Sequence, residues 1–503
     1  MIDQEGTLEA EFTFERERGN VVEEGPFQIL VLGDWAGDGE RKSISDLRAI
    51  EIDRDNFDDV LARFGTRLTL DQGDAGAITL SFSELDDFHP DRIFGRVPVF
   101  GRMRSLRKDL LSADKFDAAA REVRSWFNVS EAPAPSSVTE SEKVVSSEGL
   151  LDSILSGSTA TAPKVEPSRD AELNSLIREI VKPHIISVDE NEQSALLAAV
   201  DAAIGELMRR ILHDAKFKAL ESAWRGLYLL VRRAETSSEL RIYLVDITKS
   251  EMVEDLRSVT DLKDSVLYDL IVRESVETPG AESWSLLAGN FAFEAQRDDI
   301  ATLIRIAKLA AAARAPFVSH IRPDVLGVHS MDGNTDPAKW DLSASSEAGK
   351  LWSVLRAIPE AEFLGMTIPR FIARLPYGRE TDPVETFQFE EFIEAPDHDD
   401  LLWSNGGFVA ALLMAQSFSE YGWQMDRRFL QDVENLPLYM YDSDGEKIYQ
   451  PCAEVLFTQV AAERLMEHGL MPLISYKNTD RVKLGRFQSI ADPVTALRGR
   501  WYA

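Results

Sequence analysis

Apolar residues recur along this chain with two periods, and the switches between them mark out its elements. Thr7–Glu15 alternates, with Leu8, Ala10, Phe12 and Phe14 on one side and Thr7, Glu9, Glu11, Thr13 and Glu15 on the other. That period of two predicts a half-exposed strand. Phe27–Leu32 (FQILVL) is a continuous apolar run and predicts a buried strand, followed by a loop over Gly33–Gly39. Asp53–Phe64 has helical spacing through Phe57, Val60, Leu61 and Phe64. A strand is expected at Ala77–Phe82, and helices at Val99–Leu111 and Lys115–Phe127.

Asn128–Asp170 breaks the pattern. It is rich in Ser, Pro, Ala, Thr and Glu and nearly lacks aromatics, the composition of a flexible linker. One island interrupts it, Gly149–Ser156 (GLLDSILS). Leu150, Leu151, Ile154 and Leu155 would share one face of a two-turn helix. A helix that short is marginal in water, so it orders on contact with something.

From Ala171 the helical period dominates, strongest at Ala195–Leu212 and Lys216–Val231. Strands at Leu240–Ile247, Trp284–Ala288, Pro316–Ile321 and Phe363–Ile368 then alternate with helices at Ser250–Arg257, Asp264–Val272, Asp298–Ala313 and Ser346–Ala357. This alternation predicts an α/β domain with a mixed sheet. Between Ile368 and Trp423, Pro369, Pro376 and Pro383 impose an irregular first half, and helical spacing resumes from Phe408. Strands are expected at Leu436–Tyr441, Glu454–Thr458 and Met471–Tyr476, and a helix at Gln459–His468. The pattern divides the chain into an α+β domain over 1–127, a linker over 128–170 and a larger α/β domain over 171–503.

Charge narrows the function classes. The 503 residues carry 86 acidic against 55 basic side chains, a formal net charge of −31. Like charge repels phosphate, so non-specific binding to nucleic acid or anionic membrane is not expected. The single cysteine, Cys452, excludes an intrachain disulfide framework. The first residues lack the charge-then-apolar order of a signal peptide, and no run approaches 18 consecutive apolar residues. A cytoplasmic location without membrane insertion is the expectation.

Candidate chemistry is sparse. Gly33–Ser43 (GDWAGDGERKS) follows a strand and ends in Lys-Ser, but no Gly precedes Lys42, and Asp34, Asp38 and Glu40 would repel a triphosphate. Asp397–Asp400 (DHDD) has no metal-ligand spacing and reads as an acidic turn. Asp442–Gly445 (DSDG) opens like a calcium loop but lacks its later ligands, so a hairpin turn is expected. Cys452 reads as a buried structural thiol. Arg370 and Arg374, with Glu390 and Glu391 downstream, could clamp an anion; a buried Arg–Glu network fixing the loop is the preferred reading. No catalytic residue, metal or cofactor is assigned.

Several phrases, met in order, resemble a known family. FQILVLGDWAG, RKSI, EIDRDNFDDVL and LDDFHPDRI, within residues 6–127, resemble the small subunit of the type VI secretion contractile sheath (VipA/TssB-like). PRF-x-ARLPYG, F-x-FEE, DHDDLLWSN, ALE-x-AWRGL, the PCAEV phrase and ISYKNTDRV, within residues 171–490, resemble its large subunit (VipB/TssC-like). The resemblance implies a non-enzymatic assembly protein whose partners are other sheath subunits or copies of itself, with an AAA+ unfoldase, inner-tube and baseplate proteins as further candidates. It also implies that terminal strands are exchanged between subunits, here Leu8, Ala10, Phe12 and Phe14. By position, Leu150, Leu151, Ile154 and Leu155 would form the helix that the unfoldase recognises. From the residues alone, the Leu8–Phe14 strand could equally pair at home, and the island could dock on its own body.

The chain departs from the family pattern. Both subunits occur in one polypeptide, the first block lacks the small subunit's C-terminal helical region, and the second stops where the family continues. Two rivals follow: a scaffold or adaptor that binds sheath subunits without polymerising, and an enzyme with a ligand site near Arg370, Arg374 and Asp397.

Overall fold

A strand that is apolar at every position needs cover on both faces. The computed structural model of the protein describes residues 25–41, 43–71, 77–127, 192–343, 345–443 and 445–501. Its first strand, β1 (Phe27–Gly33), is buried at all seven positions. The first block continues with β2 (Ile50–Ile52), α1 (Phe57–Arg63), the hairpin β3 (Arg67–Asp71) and β4 (Ala77–Ser81), then α2 (Pro90–Arg96), α3 (Pro98–Leu110) and α4 (Phe116–Phe127). The second opens with α5 (Glu192–Leu212) and α6 (Ala215–Arg233). Strands and helices then alternate: β5 (Leu240–Asp246), α7 (Lys249–Ser258), β6 (Leu286–Phe293), α8 (Arg297–Ala313), β7 (Phe317–Ile321), α9 (Glu347–Arg356) and β8 (Leu364–Ile368). Last come β9 (Phe371–Ile372), β10 (Trp403–Ser404), α10 (Gly407–Tyr421), β11 (Asp432–Val433), the hairpin β12 (Tyr439–Ser443) and β13 (Glu446–Gln450), α11 (Gln459–Glu467), β14 (Leu470–Ser475) and β15 (Val482–Leu484).

Nine strands form one mixed sheet in the order β11-β15-β14-β8-β7-β6-β1-β5-β2. The six from β14 to β5 run parallel, and β2, β15 and β11 pair antiparallel at the flanks. β1, from the first block, lies between two strands of the second. Phe27 faces Leu240 and Gly33 faces Asp246 on one side, while Ile29 faces Leu286 on the other. The boundary between the blocks therefore divides the sequence but not the sheet.

Alternation along β1 separates two cores. Phe27, Ile29 and Val31 join a cluster with α3, α5, α6 and α10; Leu30 and Leu32 join a second with α7, α8, α9 and α11. Helix α10 is buried on all sides from Gly407 to Ala415 because it packs between the sheet and α6. Gly226 permits that approach, since a Cβ there would lie 2.5 Å from both Phe408 and Ser404.

Three expectations shift. Leu436–Tyr441 becomes β12, starting at Tyr439, because Pro437 has no N–H to donate to a ladder. Glu454–Thr458 is not a strand: Val455 and Phe457 turn into the second core from an irregular segment, and Glu454 sits at φ 42°, which breaks extension. The helix expected at Asp264–Val272 is one α-turn, Val266–Tyr268, running into a π-helical stretch, Asp269–Glu277.

Candidate functional site

From Pro369 to Gly406 regular structure is confined to β9 and β10, which pair antiparallel with Phe371 opposite Ser404, and to the turn at His398–Asp400. Backbone groups in such a stretch need side-chain partners when buried. Two ion clusters supply them.

The first centres on Arg374, whose side chain is 6% exposed. Its Nε donates to Glu221 Oε1 at 2.8 Å and its Nη1 to Glu391 Oε2 at 2.7 Å. Its Nη2 donates to the second oxygen of each, at 3.3 and 3.1 Å. One guanidinium thus forks two carboxylates, the strongest geometry such a pair offers. Arg225, one turn after Glu221 on α6, donates to Glu221 Oε1 at 2.7 Å and to the Tyr377 hydroxyl at 2.9 Å. Tyr377 N–H donates to Glu391 Oε2 at 2.8 Å, and the Arg374 guanidinium lies 4.1 Å over the Tyr377 ring. Two carboxylates meet two guanidiniums, so the cluster closes neutral. Both donor edges of Arg374 are occupied, which leaves no fork for an anionic ligand.

The electrostatics follow from the geometry. Burial pushes the Glu391 carboxyl up, but Arg374 and the Tyr377 N–H outweigh it and hold the carboxyl down to about 2. Burial also works against the charged form of Arg374, yet Glu221 and Glu391 raise it well above the usual arginine value. Burial drives the Tyr377 hydroxyl upward.

The second cluster centres on Glu454, 3% exposed. It accepts from Arg370 N–H at 2.9 Å and from Arg370 Nη2 at 2.6 Å, and pairs with His398 Nε2 at 3.0 Å. Burial raises its carboxyl, and the His398 bond with Arg370 outweighs burial and leaves it well below the usual range. His320 is buried nearby, and desolvation lowers its imidazole to about 4.

The sequence pattern placed Arg370, Arg374, Glu390 and Glu391 together. Arg374 and Glu391 do meet. Arg370 belongs to the other cluster, and Glu390 is exposed, accepting from Arg379 N–H at 3.2 Å. Glu221, Arg225 and Glu454 were missed; the signal for the first two was an acidic residue on the apolar face of ALESAWRGL. Asp397 precedes the His398–Asp400 turn, with Asp399 3.7 Å from Arg370. In the Gly33 loop, Asp34 accepts from Gly37 N–H at 2.9 Å, and Asp246 accepts from Trp35 and Ala36 N–H at 2.8 and 3.1 Å. Carboxylates thus occupy donors that a phosphate would need. Cys452 is buried, its thiol pushed up to about 12 by desolvation. Among the described residues no group of three or more His, Cys, Asp or Glu is placed to hold a metal ion. No described helix is long and apolar enough to cross a membrane. Leu8–Phe14 and Leu150–Leu155 lie outside the described residues.

Residues 194–491, the segment that carries both clusters, match the VipB (EvpB) tail sheath N-terminal domain. The chain belongs to the VipB tail-sheath family. Ahead of this VipB segment, residues 8–122 match VipA of the type VI secretion system. A relative from Pseudomonas aeruginosa, described as type VI secretion system sheath protein TssC1, is 32% identical over 343 residues, covering 66% of this chain and 69% of the relative. This VipB-family chain, with its VipA-like block, is a structural component of a type VI secretion sheath or sheath-like assembly, and its partners are other sheath subunits.

Proposed function

We propose that the chain is a single-polypeptide sheath protomer, in which a small-subunit-like domain (1–127) and a large-subunit-like domain (171–503), linked through 128–170, act as one non-enzymatic building unit in the cytoplasm. The observation that carries this is the position of β1. A seven-residue strand of the first block fills the interior of the second block's sheet, hydrogen-bonded on both sides. A sheet lacking it would expose two edges and both cores, an arrangement open to aggregation. The ion clusters support the non-enzymatic reading, because the charged groups of the conspicuous loop neutralise each other.

On this reading the Leu8–Phe14 strand adds to the sheet of a neighbouring subunit, which uses main-chain pairing for affinity and alternate side chains for register. The Leu150, Leu151, Ile154 and Leu155 face is the contact for an AAA+ unfoldase, and inner-tube or baseplate proteins meet the assembled unit. Electron microscopy of the purified chain, alone and with the sheath proteins of its own system, tests the proposal. Tubes or rings that incorporate the chain support it. A monomer that never enters sheath in either setting rejects it in favour of a non-polymerising adaptor. Expressed separately, residues 192–503 should be insoluble and should be rescued by residues 1–127 in trans; a soluble, folded 192–503 fragment contradicts the role given to β1.

A further inference from the structure

A groove of about 1080 Å³ runs between α3, α5 and the loop from Pro383 to Ile393. Its apolar floor includes Phe387 and Val384, and two large apolar side chains stand at its lip. Ile393 is 77% exposed and Leu111 57%. The groove is lined by five cations and three carboxylates, on a chain whose acidic residues outnumber basic ones by 86 to 55. Asp201 is already paired with Arg107 at 2.6 Å. Lys108 and the Arg379 guanidinium have no carboxylate partner among the described residues. An apolar trough with a local positive excess fits an apolar segment that carries acid.

Such a segment is tethered beside it. As a helix, Gly149–Ser156 would place Leu150, Leu151, Ile154 and Leu155 on one face, with Asp152 within it and Glu148 just ahead of it. Eight helical residues span about 12 Å. The 64 residues from 128 to 191 leave from α4 and return to α5, and the Arg124–Glu192 ion pair holds those two ends together. Asp201, in the groove wall, is nine residues along α5 from Glu192, or about 14 Å. As a random coil, the 21 residues ahead of Gly149 would span on the order of 25 Å. The groove is therefore within easy reach, and a tether this short sets an effective concentration in the millimolar range. An intrinsically weak contact is populated under those conditions. We propose that Gly149–Ser156 docks in cis into the groove between α3, α5 and the 383–393 loop, covering Leu111 and Ile393. Any partner that takes the same apolar face must then displace it from this groove.

Cysteine pairs in the full-length chain test this, because the single native cysteine is buried. The test pair is Leu151→Cys with Ile393→Cys, the latter at an exposed position. The control joins Leu151→Cys to Asp117→Cys, exposed on α4 about 15 Å from where the tether leaves. Under dilute oxidation the test pair should close at least tenfold faster than the control, within one chain, at a rate unchanged by tenfold dilution. Equal rates overturn the proposal, because the segment then samples the surface at random. A test disulfide found solely between chains also overturns it and gives the groove to a second copy.

Discussion

Replacing Arg374 by methionine keeps the length of the side chain and removes its charge. Glu221 and Glu391 are both 2% exposed or less; Glu221 would then keep Arg225, whereas Glu391 would keep only the Tyr377 N–H and, at 3.7 Å, His213. Breaking a buried ion network from one side costs about 3–5 kcal/mol, because an uncompensated charge stays in a low-dielectric site. The loss has a pH signature. In the wild type the Glu391 carboxyl is held at about 2, below its unfolded value, so its stabilising contribution is complete above the ordinary carboxylate range and is lost as pH falls towards 2. In the variant the largest opposing cause is gone, burial prevails, and the carboxyl takes up a proton at higher pH. Each unit of difference is worth about 1.4 kcal/mol. The penalty of Arg374→Met is therefore largest at pH 7 and shrinks towards pH 4.

Guanidinium unfolding followed by tryptophan fluorescence at pH 7 and pH 4 measures both quantities. Arg374→Met combined with Glu391→Leu should recover much of the loss, since an apolar replacement of a whole buried pair is often neutral or stabilising. A penalty below about 1 kcal/mol, equal at the two pH values, would refute the view that this network holds the loop, and the ligand-site alternative would regain its footing.

Gly226→Ala should destabilise by about 1–3 kcal/mol, read as a lower denaturation midpoint, because overpacking against Phe408 exceeds the 0.5–1 kcal/mol that alanine ordinarily gains inside a helix. His320 is neutral when folded, with its imidazole lowered by burial to about 4 against 6.5 when free, so its contribution falls as pH drops from 6.5 towards 4, by up to about 3 kcal/mol. A His320→Asn variant should show a shallower stability slope over pH 6.5–4.5, and an unchanged slope contradicts the assignment. Amides of β1 should exchange with solvent as slowly as those of β6, since neither strand can open without the other; faster exchange confined to β1 would show that the first block docks as an independent unit.

Much of the architecture was legible because it is local. Phe27–Leu32 reads as a buried strand from its unbroken apolar run, and the helices at 192–212, 215–233 and 297–313 show in their 3.6-residue period. The partners of β1 were not legible, because Phe27 and Leu240 are brought together by packing over more than two hundred residues. Periodicity misled at Glu454–Thr458, where alternate side chains enter a core without any ladder to pair with. The ion clusters were half legible. Arg374 and Glu391 stand out because charges seldom sit among prolines and aromatics. Glu221 and Arg225 form an ordinary i,i+4 pair, and although Glu221 falls on the apolar face of α6, nothing local names Arg374 as its second partner.

The two clusters and β1 address the same physical problem. Two parts of this body lack support of their own: the irregular stretch from Pro369 to Gly406 and a sheet assembled from two sequence blocks. Arg374 and Glu454 anchor the stretch at its two sides, tying it to α6 and to the segment before α11. The covalent connection between blocks addresses the sheet. With β1 on a separate chain, completing the sheet would carry the translational cost of association and depend on subunit concentration. On one chain that step is intramolecular, and its effective concentration is set by the connecting residues rather than by expression level. On the function proposed above, whatever concentration dependence the assembly retains arises at contacts between units, where the Leu8–Phe14 strand is the first candidate.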